Sequence, residues 1–383
     1  MLVLLQAILL SLIGCAVLFY VLSAMAARRF FAARQQEDVT MGLPVSVLIP
    51  VCGIDEGALA NWESFCQQDH PQYEVLFGVM HPDDPAVPVL QALVARCPDR
   101  AKLFCGLPPL GINHQISNVM HLLAAARHEL IVLADSDIRV GPTYLRTVTA
   151  PLADPSIGVV TCGYLDHHPK SLGAALAAFG RGVEFIPSVL IACRLDGGLR
   201  FAIGPTIATR QSVLSRIGGL QVVVNRIGSD YHIGNRAAAA GYRVELSPYL
   251  LQNDCGYETV LSVLRRELRW ARTIRCNRGL QYYGQGVTHG TVYSLLLLLI
   301  AGVNAWTLPI GLATLAIRFM QALITIDSLK CPALRWWLWA LPLRDLLSLI
   351  VWIGGTFGHR VHWRGRYLQI GAEGALTEVE QPE

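Results

Sequence analysis

Charged residues are scarce in this chain, where Asp, Glu, Lys and Arg make up only 15% of 383 residues. A soluble domain usually carries about 25%, and 53% of the chain is hydrophobic. We therefore expect a catalytic-sized domain accompanied by segments that lie in lipid. The net charge of +3 is too small to indicate a nucleic-acid partner.

Closely spaced cysteine pairs are also lacking, because no two of the ten cysteines form a CxxC motif. Their spacing favours neither a disulfide framework nor a zinc site. We interpret them as scattered small apolar residues in a reducing cytoplasm. They are Cys15, Cys52, Cys66, Cys97, Cys105, Cys162, Cys193, Cys255, Cys276 and Cys331.

The first long apolar run, Leu2 to Ala26, has no charged residue and is long enough to span a bilayer. A cleaved signal peptide is the alternative, but no basic region precedes the run. Arg28, Arg29 and Arg34 follow it, which places the next segment in the cytoplasm by the positive-inside rule. We predict an uncleaved anchor over residues 1–27 with its N-terminus outside.

Apolarity returns between Thr291 and Ile326, a run too long for one span. Asn304 and Pro309 lie in its middle, so we predict two helices joined by a tight turn. A further apolar stretch contains Arg344 and Asp345. Because charges facing lipid are costly, we expect these two side chains to be paired or to line a cavity.

We assign residues 291–360 to transmembrane or re-entrant helices and residues 361–383 to a C-terminal tail. Three complete spans would place this basic tail outside, against the positive-inside rule. A re-entrant or interfacial last segment would keep the tail in the cytoplasm, and we favour that arrangement.

Residues 43–286 alternate between short apolar, β-branched runs and helical patterns. This alternation predicts an α/β domain with a mostly parallel sheet. In such a sheet, ligands bind beyond the carboxyl ends of the strands. The predicted strands are Pro44 to Val51, Tyr73 to Met80, Ala101 to Gly106 and Glu129 to Ala134.

Acidic residues follow two of these strands. Asp83 and Asp84 come after the second strand, and Asp135 and Asp137 come after the fourth. In an extended segment the last two would point to the same side and could hold a hard cation such as Mg²⁺ or Mn²⁺ together with substrate phosphates. The alternative for this DxD sequence is a solvated turn.

A third acidic position, Asp230, opens a helical run together with Ser229. A carboxylate in a cleft at the start of a helix could act as a general base toward a substrate hydroxyl. The alternative is a structural N-cap and first-turn acid.

An arginine-rich helix follows, in which the basic residues recur at helical spacing beside Trp270. Such a face could bind a diphosphate leaving group. The alternative is a stripe that contacts anionic lipid headgroups. The arginines are Arg265, Arg266, Arg269, Arg272 and Arg275.

The motifs PDDPA, GIN, ADSDIRV, GSDYHIGN and RELRW, in this order between apolar segments, resemble those of the ceramide glucosyltransferase family, glycosyltransferase family 21. The similarity covers about residues 40–290 and continues into PLRDLLSLIVW and HWRGRY. It implies a cytoplasmic GT-A domain, a Rossmann-like α/β fold that transfers sugar from nucleotide sugars with inversion, and transmembrane helices at both ends. Within the family, the chain resembles in size and layout the bacterial branch that glycosylates hopanoids.

The resemblance assigns roles residue by residue. Asp84, with its neighbour Asp83, matches the contact to the nucleotide base, and Asn113 belongs to the nucleotide-sugar site. Asp135 and Asp137 match the metal and diphosphate site. Asp230 matches the catalytic base. The RxxRW motif corresponds to Arg266, Arg269 and Trp270. One position departs from the family pattern, because Gln115 stands where relatives often carry lysine, so we assign no phosphate contact there.

These implications predict a membrane-bound enzyme of the bacterial inner membrane. It would move N-acetylglucosamine from UDP-GlcNAc, or else glucose, to a hydroxyl of a lipid such as the hopanoid bacteriohopanetetrol, using Mg²⁺ or Mn²⁺. The expected partners are the UDP-sugar, the lipid acceptor and the bilayer, without nucleic acid. Two alternatives are a processive polysaccharide synthase of the related family 2 and a catalytically inactive membrane scaffold.

Overall fold

The computed structural model describes residues 1–33, 42–253 and 256–380. Arg34, which we used to orient the first span, and Cys255 lie outside the described residues. The nine described cysteines are free thiols.

The helices of the described chain are α1 (Leu2–Ala33), α2 (Ala58–Cys66), α3 (Ala86–Arg96), α4 (His114–Ala125), α5 (Tyr144–Thr149), α6 (Leu172–Phe179), α7 (Ile186–Leu195), α8 (Gln211–Arg216), α9 (Ser229–Ala239), α10 (Val260–Arg278), α11 (Gly290–Ala301), α12 (Thr307–Ser328) and α13 (Leu341–Thr356). The strands are β1 (Val45–Val51), β2 (Tyr73–Val79), β3 (Ala101–Cys105), β4 (Leu130–Ala134), β5 (Ile157–Leu165), β6 (Thr206–Arg210), β7 (Arg243–Gln252), β8 (Arg360–Trp363), β9 (Arg366–Ile370) and β10 (Leu376–Glu378).

The chain forms two compact units, and each contains segments that are distant in sequence. The first unit consists of Met1–Gln35, Asp166–Ala192 and Cys255–His359. The second unit consists of Gln36–Leu165, Cys193–Asp254 and Arg360–Glu383.

A seven-stranded sheet organises the second unit, with the strand order β3-β2-β1-β4-β6-β5-β7. The four predicted strands are its first four in sequence, and they pair in parallel. Strand β6 runs antiparallel to both of its neighbours, β4 and β5. The predicted mostly parallel α/β sheet is therefore confirmed, with one reversed strand that the sequence pattern did not indicate.

The core of the second unit forms because β1, β2 and β4 are buried and consist mostly of apolar residues, as expected of strands covered on both faces. Helix α4 approaches β2 closely, since a Cβ atom at Gly78 would lie 2.0 Å from Oδ1 of Asn118. The Asn118 amide donates a 2.7 Å hydrogen bond to the Gly78 carbonyl. This contact fixes the position of α4 against β2, and the first turn of α4 belongs to the site described below.

Four helical segments among the described residues are long and apolar enough to cross a membrane: Leu2–Ala32, Leu172–Leu195, Thr307–Ser328 and Pro332–Thr356. A bent pair, Val260–Thr288 and Gly290–Ala301, meets at 57° and would add a fifth if it is one span. The predicted break in the middle of the apolar run from Thr291 to Ile326 is confirmed, because α11 and α12 are separate helices. Between them, Asn304 accepts hydrogen bonds from the backbone of Trp306 and Thr307.

The buried side chains of Arg344 and Asp345 in the first unit are both paired, as we expected. Arg344 contacts Glu184 and Glu267, each at 2.8 Å. Asp345 contacts Arg318 at 2.6 Å, and Arg318 also reaches Glu184 at 3.1 Å. We call these five side chains the buried charge network. Charges removed from water are stable only when they are compensated in this way.

The C-terminal segment, which we interpreted as a tail, forms a three-stranded antiparallel sheet of β8, β9 and β10. Trp363 pairs with Arg366, so β8 and β9 form a hairpin with a two-residue turn at Arg364 and Gly365. This sheet belongs to the second unit.

Candidate active site

The DxD sequence lies where β4 ends, at the predicted edge of the sheet. Asp135, Ser136 and Asp137 leave the strand in a turn, so our expectation of a continued extended segment is wrong. The turn is fixed at both ends, because the Asp135 amide donates to the Pro205 carbonyl and the Asp137 carbonyl accepts from Asn253. Its backbone is therefore held in place before any ligand binds.

Asp135 is the best defined acidic group of this site. Gln115 Nε2 donates a 2.7 Å hydrogen bond to its Oδ1. Burial and the negative charges of Asp137 and Asp230 together raise the pKa of Asp135 to about 7. The Gln115 hydrogen bond and the positive charge of Arg364 act in the opposite direction. Because these charges influence one another, the structure brings together Asp135, Asp137 and Asp230, three of the residues predicted from sequence.

Asp230 lies in the first turn of α9. The N-cap of this helix is Gly228, whose φ of 70° is left-handed, and no side chain caps the helix. Ser229 is therefore not the N-cap, although Asp230 is the first-turn acid of the structural alternative. A Cβ atom at Gly204 would lie 3.2 Å from Oδ2 of Asp230, so the absence of a side chain at Gly204 leaves room for this carboxylate.

A second glycine sets the position of α9 itself. A Cβ atom at Gly234 would lie 2.2 Å from the Ala202 backbone nitrogen. Helix α9 can therefore pack directly on the backbone at Ala202 only because position 234 is glycine. This close approach holds Asp230 at the site.

Asp84 has structural contacts of its own. Its carboxylate accepts hydrogen bonds from the Gly53 amide at 2.9 Å and from the Ala86 amide at 2.8 Å. These bonds join the loop after β1 to the start of α3. Asp83 beside it is exposed. The contact of either residue to a nucleotide base stays a prediction.

Asn113 is buried, and both polar atoms of its side-chain amide form hydrogen bonds. Oδ1 accepts from the Ile116 amide and caps α4, while Nδ2 donates to the Arg226 carbonyl at 3.0 Å. The side chain thus connects the helix that carries Gln115 with the loop that leads to Asp230. These contacts position the site, and the predicted contact of Asn113 with a sugar nucleotide remains untested.

The RxxRW motif lies on α10 in the first unit. Arg266 forms a two-pronged ion pair with Glu258, and its guanidinium lies 5.3 Å from the centre of the Trp270 ring. Farther along the helix, Arg272 and Arg275 donate to the carbonyls of Phe357 and Gly358. Part of the predicted arginine stripe therefore anchors the end of α13, which neither of our two interpretations included.

Arg139 follows Ile138 after the acidic turn, and the sequence indicates no role for it. Its Nε donates to Oδ1 of Asn61 at 3.2 Å, and its backbone forms an antiparallel bridge with Gln252. Arg139 thus fastens the chain after the acidic turn to α2 and β7.

The residues at this edge suit a hard divalent cation that is shared with a substrate. Among the described residues, no group of three or more His, Cys, Asp or Glu is arranged to hold a metal. Mg²⁺ and related ions, however, usually bind through one or two carboxylates together with substrate phosphates. Asp135 and Asp137 supply two such carboxylates, and their mutual repulsion is what a cation would relieve.

Sequence reasoning missed two residues of this site. Gln115 was set aside because it departs from the family pattern, yet it binds Asp135. Arg364 lies in the HWRGRY segment, which we noted only as part of the resemblance, and its charge acts on Asp135. A basic residue beside glycine between two aromatic positions was the available signal for Arg364, but it did not indicate where the segment folds.

Comparison with known proteins places the chain among sugar-transferring proteins. The sequence profile described as Glycosyl transferase family 21 matches residues 6–376. Two relatives from Caenorhabditis elegans, Ceramide glucosyltransferase 1 and Ceramide glucosyltransferase 3, are 26% and 27% identical over 230 residues. These matches cover 60% of this chain and 49% and 50% of the relatives, so the chain spans about half of their length.

A solved structure with a similar fold is the mannosyltransferase PcManGT from Pyrobaculum calidifontis, determined in complex with GDP-Man and Mn²⁺. The TM-score is 0.53 at 18% sequence identity, over 91% of this chain and 99% of that chain. At this identity the likeness concerns the fold alone. It confirms the GT-A architecture predicted from the sequence.

Proposed function

The chain belongs to glycosyl transferase family 21, and from this premise we propose that it is a membrane-bound inverting glycosyltransferase that moves a sugar from a nucleotide diphosphate to a lipid hydroxyl. The observation that carries this proposal is the meeting of three carboxylates, those of Asp135, Asp137 and Asp230, at the carboxyl edge of the sheet. Such an edge is where α/β domains bind ligands.

In the proposed reaction, Asp230 accepts the proton of the acceptor hydroxyl as a general base. The acceptor oxygen forms a bond to the anomeric carbon from the face opposite the diphosphate. The bond from that carbon to the phosphate oxygen breaks, and its electron pair leaves with the nucleoside diphosphate. Attack from the opposite face inverts the anomeric centre.

The developing negative charge of the leaving diphosphate is where stabilisation accelerates the reaction most. Asp135 and Asp137 would hold Mg²⁺ or Mn²⁺, which when bound supplies positive charge to the diphosphate. The motif resemblance further assigns Arg266, Arg269 and Trp270 to the leaving group, because a guanidinium matches phosphate geometry. We retain the predicted contacts of Asp83, Asp84 and Asn113 with the nucleotide sugar as part of this proposal.

Support for a lipid acceptor comes from the relatives named ceramide glucosyltransferases and from the four candidate spans. We propose UDP-GlcNAc, or else UDP-glucose, as donor and a hopanoid such as bacteriohopanetetrol as acceptor. We also propose that residues 1–27 anchor the chain in a bacterial inner membrane. In this arrangement residues 43–286 form a cytoplasmic catalytic domain, residues 291–360 contain the C-terminal membrane helices and residues 361–383 follow them.

The experiment that tests this function uses the purified full-length protein in lipid with Mn²⁺, one UDP-sugar at a time and extracted hopanoids. Mass spectrometry of the lipids is expected to show the addition of a single sugar. A ladder of sugar additions would instead support the processive synthase. Absence of UDP-sugar turnover with every donor and acceptor would support the inactive scaffold.

A further inference from the structure

We propose that Arg364, at the turn of the C-terminal hairpin, binds the diphosphate of the donor. The proposal rests on the function proposed above and assigns the C-terminal segment a direct part in donor recognition. Nothing in the spacing of the other site residues indicates such a part.

The backbone at this turn holds Arg364 in an uncommon conformation. Its φ is 47°, and the φ of Gly365 is 80°. A two-residue hairpin turn with positive φ at both positions normally takes Asn, Asp or Gly at the first position. A residue with a longer side chain that adopts this left-handed backbone conformation often lies at a functional position. The turn therefore presents an arginine where a smaller residue would fit the backbone better.

The guanidinium of Arg364 reaches the loop after β1. Nη1 donates to the Cys52 carbonyl at 3.4 Å, and Nη2 lies 3.5 Å from Oδ2 of Asp55. Strand β1 pairs with β4, with Leu48 opposite Leu133, so this loop begins at the same sheet edge as Asp135.

These contacts of Arg364 are suited to exchange. Charge-assisted hydrogen bonds are typically about 2.7–2.9 Å long, so contacts of 3.4 and 3.5 Å are weak. The Arg364 side chain is 52% exposed, which leaves it accessible from solvent. A guanidinium presents several N–H donors in a planar fork that matches phosphate oxygens. Arg364 can therefore exchange its contacts with the loop for contacts with a diphosphate at little cost in free energy.

The hairpin that carries Arg364 is firmly attached to loops of the site. Arg366 forms a two-pronged ion pair with Glu378 at 2.9 and 3.0 Å and donates to the Ile112 carbonyl at 2.8 Å. Ile112 lies just before α4, which carries Gln115. This attachment places the turn relative to the donor site before a ligand binds, which lowers the entropy cost of binding.

A second attachment joins the same sheet to the loop that precedes Asp230. The Ile227 amide donates to the Gly374 carbonyl at 2.8 Å, and the Leu376 amide donates to the Asn225 carbonyl at 2.9 Å. The C-terminal sheet thus contacts the segments before both Gln115 and Asp230.

The charge of the site favours a cation at this position. The negative charges of Asp137 and Asp230 both act on Asp135, and a donor diphosphate adds further negative charge. Arg364 brings permanent positive charge to the same edge, since an arginine stays protonated. A purely structural arginine would instead serve only to neutralise Asp55 and Asp135. The two roles differ in the affinity for a diphosphate that they predict once Arg364 is replaced.

The test compares equilibrium binding of UDP and of uridine to the full-length protein and its variants, with and without Mn²⁺. Arg364→Ala is expected to weaken UDP binding about tenfold, as loss of a hydrogen bond to a charged group does, and to leave uridine binding unchanged. Arg364→Lys is expected to restore part of the UDP affinity. The matched control is Arg360→Ala, which removes an exposed arginine from the same hairpin and should leave UDP affinity unchanged.

In activity assays, Arg364→Ala should raise the KM for UDP-sugar without changing the KM for the lipid. Unchanged UDP affinity in Arg364→Ala, or equal weakening of UDP and uridine, would overturn the proposal and leave the proposed function standing. If the unaltered protein neither binds UDP nor turns over a UDP-sugar, the proposed function itself fails.

Discussion

The Nε2 atom of Gln115 donates a 2.7 Å hydrogen bond to the carboxylate of Asp135. The two residues come from different elements, the first turn of α4 and the turn after β4. The bond favours the charged form of Asp135 against burial and the neighbouring carboxylates. In this chain, the residue that departs from the family pattern therefore supports the residue that we expect to hold the metal.

Replacing Gln115 by leucine is expected to lower kcat/KM about tenfold, because one hydrogen bond to a charged group is lost. The metal concentration for half-maximal activity should rise, since Asp135 is then less readily ionised. Metal titration of activity measures both effects. Gln115→Glu keeps the length of the side chain but adds a negative charge, and it should impair use of the donor further. Wild-type metal dependence in both variants would contradict the role of Gln115.

Asp230→Asn is expected to reduce transfer by roughly 10²–10⁴-fold, the usual contribution of a general base. The substitution keeps size and hydrogen-bonding capacity, so UDP binding and thermal stability should stay unchanged. Single-turnover transfer and UDP titration on the same preparation separate the two effects. A variant that still transfers sugar at the normal rate would exclude Asp230 as the base.

Gly204→Ala tests the space beside the base. The added Cβ atom would lie 3.2 Å from Oδ2 of Asp230, so the carboxylate must shift by a few tenths of an ångström. Because small misplacements of reacting groups are costly, we expect kcat to fall roughly tenfold with the KM for UDP-sugar unchanged.

The matched control for this substitution is Gly284→Ala, where the Cβ atom would have no neighbour within 4 Å. Its kcat should equal that of the unaltered protein. Equal rates in the two variants would show that the space at Gly204 does not matter for Asp230.

Arg344→Met tests the buried charge network of the first unit. The substitution removes the guanidinium that Glu184 and Glu267 each contact at 2.8 Å. Breaking a buried pair in this way typically costs about 3–5 kcal/mol, so the midpoint of thermal unfolding in detergent should fall clearly.

Arg335→Met is the comparison for that measurement, since its pair with Asp327 is half exposed and such pairs contribute about 0–1 kcal/mol. An equally small shift of the unfolding midpoint in both variants would mean that the buried network does not stabilise the unit.

Much of the fold could be predicted because its signals are local. Strands β1, β2, β3 and β4 are short apolar runs bounded by turns, and the acidic residues Asp84 and Asp135 follow two of them. Parallel pairing then brings the strand ends to one edge. The antiparallel strand β6 carries no such signal, because a strand's direction depends on pairing with distant segments.

The buried charge network and the rest of the site depend on contacts between segments that are far apart in sequence. Glu184 lies in an apolar helical stretch that we did not recognise as a candidate span, and its partners Arg318 and Arg344 come from two other helices. Arg364 approaches Asp135 only because the C-terminal sheet folds onto the loops at Ile112 and Asn225. Neither composition nor periodicity reports such docking.

Labelling of the lipid shows directly whether the acidic turn of Asp135 and Asp137 is needed for sugar transfer. The full-length protein and its Asp135→Asn and Asp137→Asn variants are each incubated with Mn²⁺, isotopically labelled UDP-GlcNAc and bacteriohopanetetrol, and the lipids are analysed by mass spectrometry. We expect one labelled N-acetylhexosamine per lipid with the unaltered protein and at least about 10²-fold less labelled lipid with either variant. Undiminished labelling of the lipid by both variants would contradict the assignment of this acidic turn as the metal and diphosphate site.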